Sequence, residues 1–365
     1  MMNRGVLIIL IPLLFACSED ESPETQNDNF DRQSMLINWA DNIIIPSYKA
    51  YEYSLLALQS AKNDFIANPD ISSLSELRIK WEEAYLNWQK VSMFQIGMAE
   101  QITLRDFTNI YPCDKEEIEM AISSGDYNLE LPSSRDMQGF PALDYLLYGM
   151  ADSENELLQK LSQTAYSSYL SELVERLLFL SQSVIDDWEG DYRDQFVEND
   201  GSDAGSSVNK MLNDYMFYYE KVLRAGKVGI PAGVFSSTSR SDLVEAPYRG
   251  DLSKSLCLSA LNSVINFFHG RHYNSNEEGE SLKSYLDYLN SVSETESLSL
   301  SIANQFDLSR DKIESLNEDF ALQIQTDNSA MLEAYDELQS NVVLMKVDMF
   351  QAMNIRVDYV DADGD

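Results

Sequence analysis

The stretch GFPALDYLLYG, residues 139–149, places two side chains three residues apart where a helix is predicted. Residues at i and i+3 share one helix face, so two side chains with free lone pairs could grip a metal ion or move a proton there. Asp144 supplies a carboxylate, but Pro141 has no coordinating or titratable side-chain atom. A plain helix start explains the same residues, because Pro141 suits the first turn and Asp144 gains from the helix dipole. The stretch is thus a metal or catalytic site, a remodelled one, or only a helix start.

The histidines offer little to complete a metal centre. His269 and His272 lie three residues apart around Gly270, at the predicted end of an apolar helix, which is typical of C-terminal helix residues rather than of ligands. The chain contains no HExxH motif, no local signature of a Ser/His/Asp or Cys/His nucleophile, and no glycine-rich phosphate loop. A single carboxylate cannot hold a catalytic zinc ion, which typically takes three protein ligands.

Two cysteines remain besides the one near the N-terminus. Cys113 and Cys257 could pair in an exported protein, but neither belongs to a CxxC or Cys/His metal spacing. Both adjoin apolar residues, which favours two buried free thiols over a disulfide.

The apolar residues repeat with helical periodicity nearly everywhere in the chain, so helices are expected to position the candidate residues. From Leu77 to Val91 the apolar residues follow a 4-3-4-3 spacing, which predicts one stripe of a long helix that continues to Met98. Trp81 and Trp88, seven residues apart on this stripe, are expected to anchor a core. Similar stripes predict helices over residues 33–67, 155–189, 205–226, 252–269, 280–291, 309–326 and 329–355. Because no segment alternates convincingly with period two, the predicted fold class is all-α, with helices long enough for bundles.

Two irregular segments organise the chain. Residues 189–207 carry three glycines and many acids, and they predict a division into a first helical bundle (31–200) and a second bundle with an acidic tail (201–365), with a site between the bundles. Residues 31–355 together would form one unit. The segment GKVGIPAGVFSSTSRSDLVEAPYRGD, residues 226–251, is long for a bundle connection, and such loops are usually functional or disordered.

The N-terminus predicts export and lipidation. Arg4 precedes an apolar run of twelve residues that is too short to span a membrane, and Leu14-Phe15-Ala16-Cys17 resembles a bacterial lipobox. We expect a signal peptide at 1–17, a lipidated Cys17 and an acidic tether at 18–30. An ordinary signal peptide is the alternative. The expected location is the outer membrane, on its periplasmic or cell-surface side, with the membrane contacted through the lipid anchor.

The strongly acidic net charge argues against two classes of binding partner, nucleic acids and anionic lipids. The chain has a net charge of −35, with 61 acidic and 26 basic residues. Nucleic-acid binding is excluded because phosphate binding needs a basic surface, and anionic lipid head groups are disfavoured for the same reason. Attraction for cations is one implication, and solubility of an exported protein is the other. Asp361, Asp363 and Asp365 imitate the opening of a calcium loop, but the chain lacks its closing glutamate, so a solvated tail is expected.

Several segments together resemble the imelysin family of exported bacterial proteins, named for an insulin-cleaving activity. They are the tryptophan-rich WEEAYLNWQKVSMFQIGMAE, which ends at Glu100, NIYPCDKEEIEMAI (109–122), GFPALDYLLYG, GKVGIPAGVF and the closing DADGD. GFPALDYLLYG resembles the family's Gly-x-His-x-x-Glu signature. Gly139 matches its glycine, Pro141 stands in place of its histidine, and Asp144 stands in place of its glutamate.

The resemblance implies two packed helical bundles with the signature helix in the cleft between them. It makes Gly139, Pro141, Asp144 and Glu100 the ligand-binding candidates, with iron or another divalent metal as the implied cofactor and Asp144 as the one carried-over metal ligand. Since Pro141 replaces the histidine, the expected function is a non-catalytic binding lipoprotein of iron or haem acquisition, with an iron-uptake receptor or other surface protein as partner. The alternatives are a metallopeptidase, which the family name suggests, and a structural adaptor at the outer membrane.

Overall fold

The computed structural model describes residues 28–293 and 297–359. Within these ranges the chain forms helices and connecting segments without a β-strand, and an isolated antiparallel bridge joins Arg271 to Glu278. The prediction of an all-α fold is confirmed. The proposed lipidation site Cys17 and the tail carboxylates Asp361, Asp363 and Asp365 lie outside the described residues.

The first half of the chain folds around one long helix. Its α-helices are α1 (Arg32–Ile37), α2 (Ile45–Ala67), α3 (Ile71–Trp88), α4 (Met98–Gln101), α5 (Leu104–Thr108), α6 (Lys115–Ser124), α7 (Gly139–Asp144), α8 (Glu154–Leu161), α9 (Thr164–Glu189) and α10 (Tyr192–Glu198). The chain is π-helical at Asn38–Ile44 and Tyr145–Gly149 and 3-10 helical at Pro132–Met137. The central helix α2 packs against α3 and α9, and α7 packs against α9.

The second half of the chain forms another group of packed helices. Its α-helices are α11 (Ser207–Phe217), α12 (Ile230–Ala232), α13 (Ser253–His269), α14 (Leu282–Ser293), α15 (Leu298–Glu314), α16 (Phe320–Val342) and α17 (Phe350–Ala352). The chain is π-helical at Tyr218–Gly229 and Val343–Met349 and 3-10 helical at Ser241–Leu243. Helix α16 packs against α15 and the first of these π-helices, and α13 packs against α15.

The two halves share one core. Helix α3 contacts α13, α1 contacts α11, and the buried apolar residues of both halves form one continuous cluster. Phe30, just before α1, stacks on Tyr285 of α14 with ring centroids 4.3 Å apart. None of the helices in the described part of the chain has the length and apolar character needed to cross a membrane.

Acidic and hydroxyl side chains begin many of the helices. Each accepts a hydrogen bond from a backbone N–H in the first helical turn, which the helix itself leaves unpaired. These capping residues are Asp31, Asp70, Asp114, Ser153, Ser206, Ser297 and Asp319. The aspartates also place negative charge at the positive end of the helix dipole, so part of the chain's acidity serves its local structure.

The predicted core anchors are buried, but the helix that carries them is shorter than expected. Trp81 is 0% and Trp88 1% exposed, which confirms their expected role. Helix α3 ends at Trp88, whereas the apolar spacing predicted a single helix to Met98. The spacing misleads because the turns after Trp88 also bury apolar side chains, among them Val91 and Phe94, without helical geometry.

Three further helix boundaries differ from the prediction. The segment 189–207 contains α10, residues 162–163 separate α8 from α9, and the predicted helix 309–326 is divided between α15 and α16. Asp319 causes that last division because its carboxylate caps α16. The predicted gap between residues 326 and 329 is real, since Asp327 has non-helical backbone angles within α16.

Candidate functional site

The signature helix α7 begins at a position that strongly favours glycine. Gly139 has a φ of +75°, in the left-handed region. A Cβ at this position would lie 2.1 Å from the carbonyl oxygen of Thr108 at the end of α5. Before it, the buried Gln138 amide donates to the carbonyl oxygens of Leu129 and Ser134 at 2.7 and 3.0 Å. The backbone at the start of α7 is therefore held by the close approach of Thr108 and by the hydrogen bonds of Gln138.

Pro141 lies in the first turn of α7, as predicted, and is buried. Its neighbour Phe140 stacks on Tyr85 of α3 with ring centroids 4.4 Å apart and planes 5° apart. The chain becomes π-helical at Tyr145, and the Tyr145 ring lies 5.4 Å from that of Tyr248. The signature helix is thus enclosed by aromatic side chains from both halves.

Asp144 joins the two halves through its carboxylate. Its side chain is 0% exposed, Oδ2 accepts the backbone N–H of Tyr248 at 3.0 Å, and Oδ1 accepts that of Arg249 at 3.0 Å. Burial raises the pKa of Asp144 to about 7, although these two hydrogen bonds and the Arg249 charge act in the opposite direction. We refer to Asp144 and these two N–H groups as the Asp144 clamp.

The Asp144 clamp does not fit a metal ion. A catalytic zinc site typically needs three protein ligands and one open position. Pro141 offers no lone pair, and both oxygens of Asp144 already accept hydrogen bonds from the second half. In the described residues no group of three or more His, Cys, Asp or Glu side chains is arranged to hold a metal. A carboxyl with a pKa near 7 could act in acid–base chemistry, but this one has no exposed surface from which to reach a substrate.

A buried ion pair lies in the same junction between the halves. Lys227 and Glu245 are each 2% exposed and form an ion pair with one another. Glu245 Oε1 also accepts hydrogen bonds from Gln89 Nε2 at 3.0 Å and Asn109 Nδ2 at 2.7 Å, both from the first half. Lys227 therefore balances the charge of Glu245, and two amides from the first half add hydrogen bonds to the same buried carboxylate.

The sequence predicts the segment that forms this junction but not its individual contacts. The length of the irregular segment 226–251 predicts a functional loop, and this segment supplies Lys227, Glu245, Tyr248 and Arg249. The individual residues were missed. Lys227 and Glu245 lie between apolar neighbours, in GKVGI and DLVEAP. This local pattern indicates that the two charges are buried.

Glu100 lies apart from the signature residues. It is an exposed residue of α4 and lines a shallow depression with Lys210, Asp214 and other residues. Neither Pro141 nor Asp144 lines this depression. The structure therefore brings Gly139, Pro141 and Asp144 together on α7 and leaves Glu100 elsewhere.

The two histidines, Cys113 and Cys257 lie in surroundings that suit a structural role. His269 is the last residue of α13 and Gly270 caps it with a φ of +69°, while His272 lies in the following loop with Nδ1 3.6 Å from Glu277. Cys257 is buried, Cys113 is half-buried, and both are free. Burial raises the pKa of each thiol to about 12, so neither is an activated nucleophile. The expectation of free thiols is confirmed for both cysteines, and the expectation of burial is confirmed for Cys257, whereas Cys113 is only partly buried.

An open groove lies elsewhere between the halves. Its volume is about 700 Å³, within the range of small-molecule sites. The first half lines it with residues around the start of α2 and after α3, and the second half with α13 and the loop that follows. The lining residues are Ile43, Ser47, Lys90, Met93, Phe94, Ser255, Leu258, Ser259, Asn262, Ser263, Asn266, Arg271, His272, Tyr273, Asn274, Ser275 and Asn276. We call this space the inter-half groove.

Solved structures share this architecture. An imelysin-like protein from Psychrobacter arcticum 273-4 superimposes with a TM-score of 0.70 at 16% identity, covering 90% of this chain and 97% of its own. A putative iron-regulated protein A precursor from Parabacteroides distasonis ATCC 8503 gives 0.72 at 18%, covering 89% and 97%. These identities are too low to show more than the fold. No curated relative matches the sequence. The profile of the family described as Imelysin (Peptidase_M75) matches residues 44–344. The chain belongs to the imelysin family.

Proposed function

We propose that this chain is an exported, lipid-anchored imelysin-family protein that binds a ligand without catalysing a reaction, in a process linked to iron acquisition. One observation carries the non-catalytic part. The position of the family's signature glutamate is occupied by Asp144, whose two oxygens accept backbone N–H groups from Tyr248 and Arg249 with no exposed surface. The signature helix then holds the two halves together instead of presenting a reactive group.

The inter-half groove supports a binding role. The Asp144 clamp and the Lys227–Glu245 pair fix the halves against each other at one part of their junction, while the inter-half groove remains open at another. A groove of about 700 Å³ between two halves that these contacts hold together is a preformed site, and a preformed site loses less entropy when a ligand binds.

The link to iron rests on the family and on one structural neighbour. The Parabacteroides distasonis protein is described as a putative iron-regulated protein A precursor. The lipid anchor rests on the lipobox-like Leu14-Phe15-Ala16-Cys17 and the acidic segment that follows it. We place the protein at the outer membrane, with an iron-uptake receptor or another surface protein as its partner.

A hydrolysis assay tests the non-catalytic role. The purified protein, incubated with insulin or casein and supplied with Zn²⁺ or Fe³⁺, should show no cleavage that a chelator abolishes, because the signature residues cannot complete a metal site. Asp144→Ala is the matched variant and should give the same background. Chelator-sensitive cleavage by the unaltered protein that disappears in Asp144→Ala would restore the metallopeptidase alternative.

Cell fractionation under iron limitation tests the location and the iron link. In the source bacterium, iron starvation should increase the amount of the protein, and the protein should remain with the membranes after salt and carbonate washing. Cys17→Ser should move it to the soluble fraction because the acyl chains provide the anchor. Cys113→Ser, which alters a thiol inside the fold, should stay with the membranes. Retention of the Cys17→Ser protein would refute the anchor, and an amount that ignores iron supply would refute the iron link.

A further inference from the structure

We propose that the inter-half groove binds a small polar molecule through an anionic oxygen group, a carboxylate or a phosphate. This inference rests on the proposed binding role and names the ligand class of the groove. The site is separate from the signature helix, since none of Gly139, Pro141 and Asp144 lines the groove.

The composition of the groove wall reverses the charge balance of the chain. The chain has 61 acidic residues against 26 lysines and arginines, yet the seventeen described lining residues include one lysine, one arginine, one histidine and no acidic residue. These three nitrogen-bearing groups, called the basic groups of the wall, are Lys90, Arg271 and His272. Five serines and four asparagines make up most of the remainder and can donate to or accept from a polar ligand. A cleft lined by one sign of charge focuses its potential and concentrates the opposite ion.

Lys90 is the central group because, among the residues that the structure describes, its ammonium pairs with no carboxylate and contacts neutral groups. Its Nζ donates to Asn87 Oδ1 at 3.0 Å and lies 5.6 Å from the centre of the Tyr273 ring. Burial lowers the pKa of Lys90, because it removes water from around the ammonium. A carboxylate or phosphate in the groove would supply the missing charge-assisted hydrogen bond.

The other two basic groups keep acidic partners that do not line the groove. Arg271 Nη2 lies 3.1 Å from Glu278, and its Nη1 donates to Asn266 Oδ1 at 3.0 Å. His272 Nδ1 lies 3.6 Å from Glu277, which is 82% exposed. An exposed pair contributes little, so these carboxylates reduce but do not cancel the positive character of the wall.

The loop that carries Arg271 and His272 is held by the first half. Tyr273 N–H donates to the Asn42 carbonyl oxygen at 2.8 Å, and the Asn38 amide donates to the carbonyl oxygens of Gly270 and Glu280 at 3.0 and 3.1 Å. The two walls of the groove are therefore tied to each other across the junction. The basic groups are preorganised for a ligand, which reduces the cost of binding.

Calorimetric titration at low ionic strength tests this site, with citrate and inorganic phosphate as anionic probes and glucose as a neutral one. The unaltered protein should bind at least one of the anions and not glucose. Lys90→Met should weaken that binding at least about tenfold, the effect of losing one charge-assisted hydrogen bond. Lys115→Met removes the same charge from an exposed position outside the groove and should leave the affinity unchanged.

A second variant guards against misfolding of Lys90→Met. Asn262 is exposed in the groove wall, so Asn262→Asp should fold normally and should also weaken anion binding, since it introduces a like charge. Equal affinity in Lys90→Met and Lys115→Met, no effect of Asn262→Asp, or binding of glucose alone would each overturn the assignment. If the protein binds no anion, the assignment of the groove is wrong. If the same protein also shows no chelator-sensitive hydrolysis, the non-catalytic role still stands.

Discussion

Gly139→Ala should lower the free energy of unfolding by about 3–5 kcal/mol, from backbone strain and overpacking combined. Gly139 has a φ of +75°, which an L side chain adopts only with strain, and the added Cβ would lie 2.1 Å from the Thr108 carbonyl oxygen. A backbone oxygen at the end of α5 cannot swing aside as a flexible side chain can. Helix α7 would have to move, and the Asp144 clamp at its other end would be disturbed. Urea unfolding followed by circular dichroism measures the loss.

Gly125→Ala separates the two causes of that loss. Gly125 also has a positive φ, +66°, but a Cβ there would meet no atom within 4 Å. It should therefore cost only the strain of the left-handed conformation, about 1 kcal/mol. Equal losses in the two variants would show that close packing of α7 against α5 contributes nothing.

Lys227→Met should cost about 3–5 kcal/mol because it leaves the Glu245 charge buried without its partner. Both side chains are 2% exposed, so water cannot replace the lost ammonium. Gln89 and Asn109 would still donate to Glu245, but two neutral donors do not balance a full charge. Urea unfolding again provides the measurement.

Two controls identify the buried charge as the cause. Lys227→Met combined with Glu245→Gln removes both charges and keeps a side chain that can accept from Gln89 and Asn109, so it should recover much of the loss. Arg240→Met breaks the exposed pair with Asp242 and should cost no more than about 1 kcal/mol. If the double variant is no more stable than Lys227→Met, the unpaired charge is not the origin of the effect.

Local patterns were sufficient for the fold class and for much of the core. The 3.6-residue periodicity predicted the helices, and the seven-residue spacing of Trp81 and Trp88 predicted two side chains that are indeed buried. Pro141 was expected in a first helical turn because its ring fits there, and it lies there. These predictions depend on neighbours within one or two turns of the same helix, so the sequence contains the information they need.

The contacts between the halves could not be predicted in the same way. Asp144 accepts N–H groups more than a hundred positions later in the chain, and backbone donors carry no residue-specific signature. The apolar neighbours of Lys227 and Glu245 indicate burial, but nothing in the sequence shows that these two side chains pair with each other. The end of α3 at Trp88 was missed because the turns that follow bury apolar side chains at helix-like intervals. Tertiary packing decides all of these features.

Thermal unfolding with and without metal tests most directly whether Asp144 is a structural clamp or a ligand. The melting temperature of the unaltered protein should be the same with a chelator as with excess Zn²⁺ or Fe³⁺, because Asp144 is buried and belongs to no group of three metal-ligating side chains among the described residues. Asp144→Ala should melt lower under every condition, since it leaves two partly buried donors without their acceptor, at a cost of up to about 1–3 kcal/mol each. A melting temperature of the unaltered protein that rises with metal, and a rise that Asp144→Ala abolishes, would contradict the account.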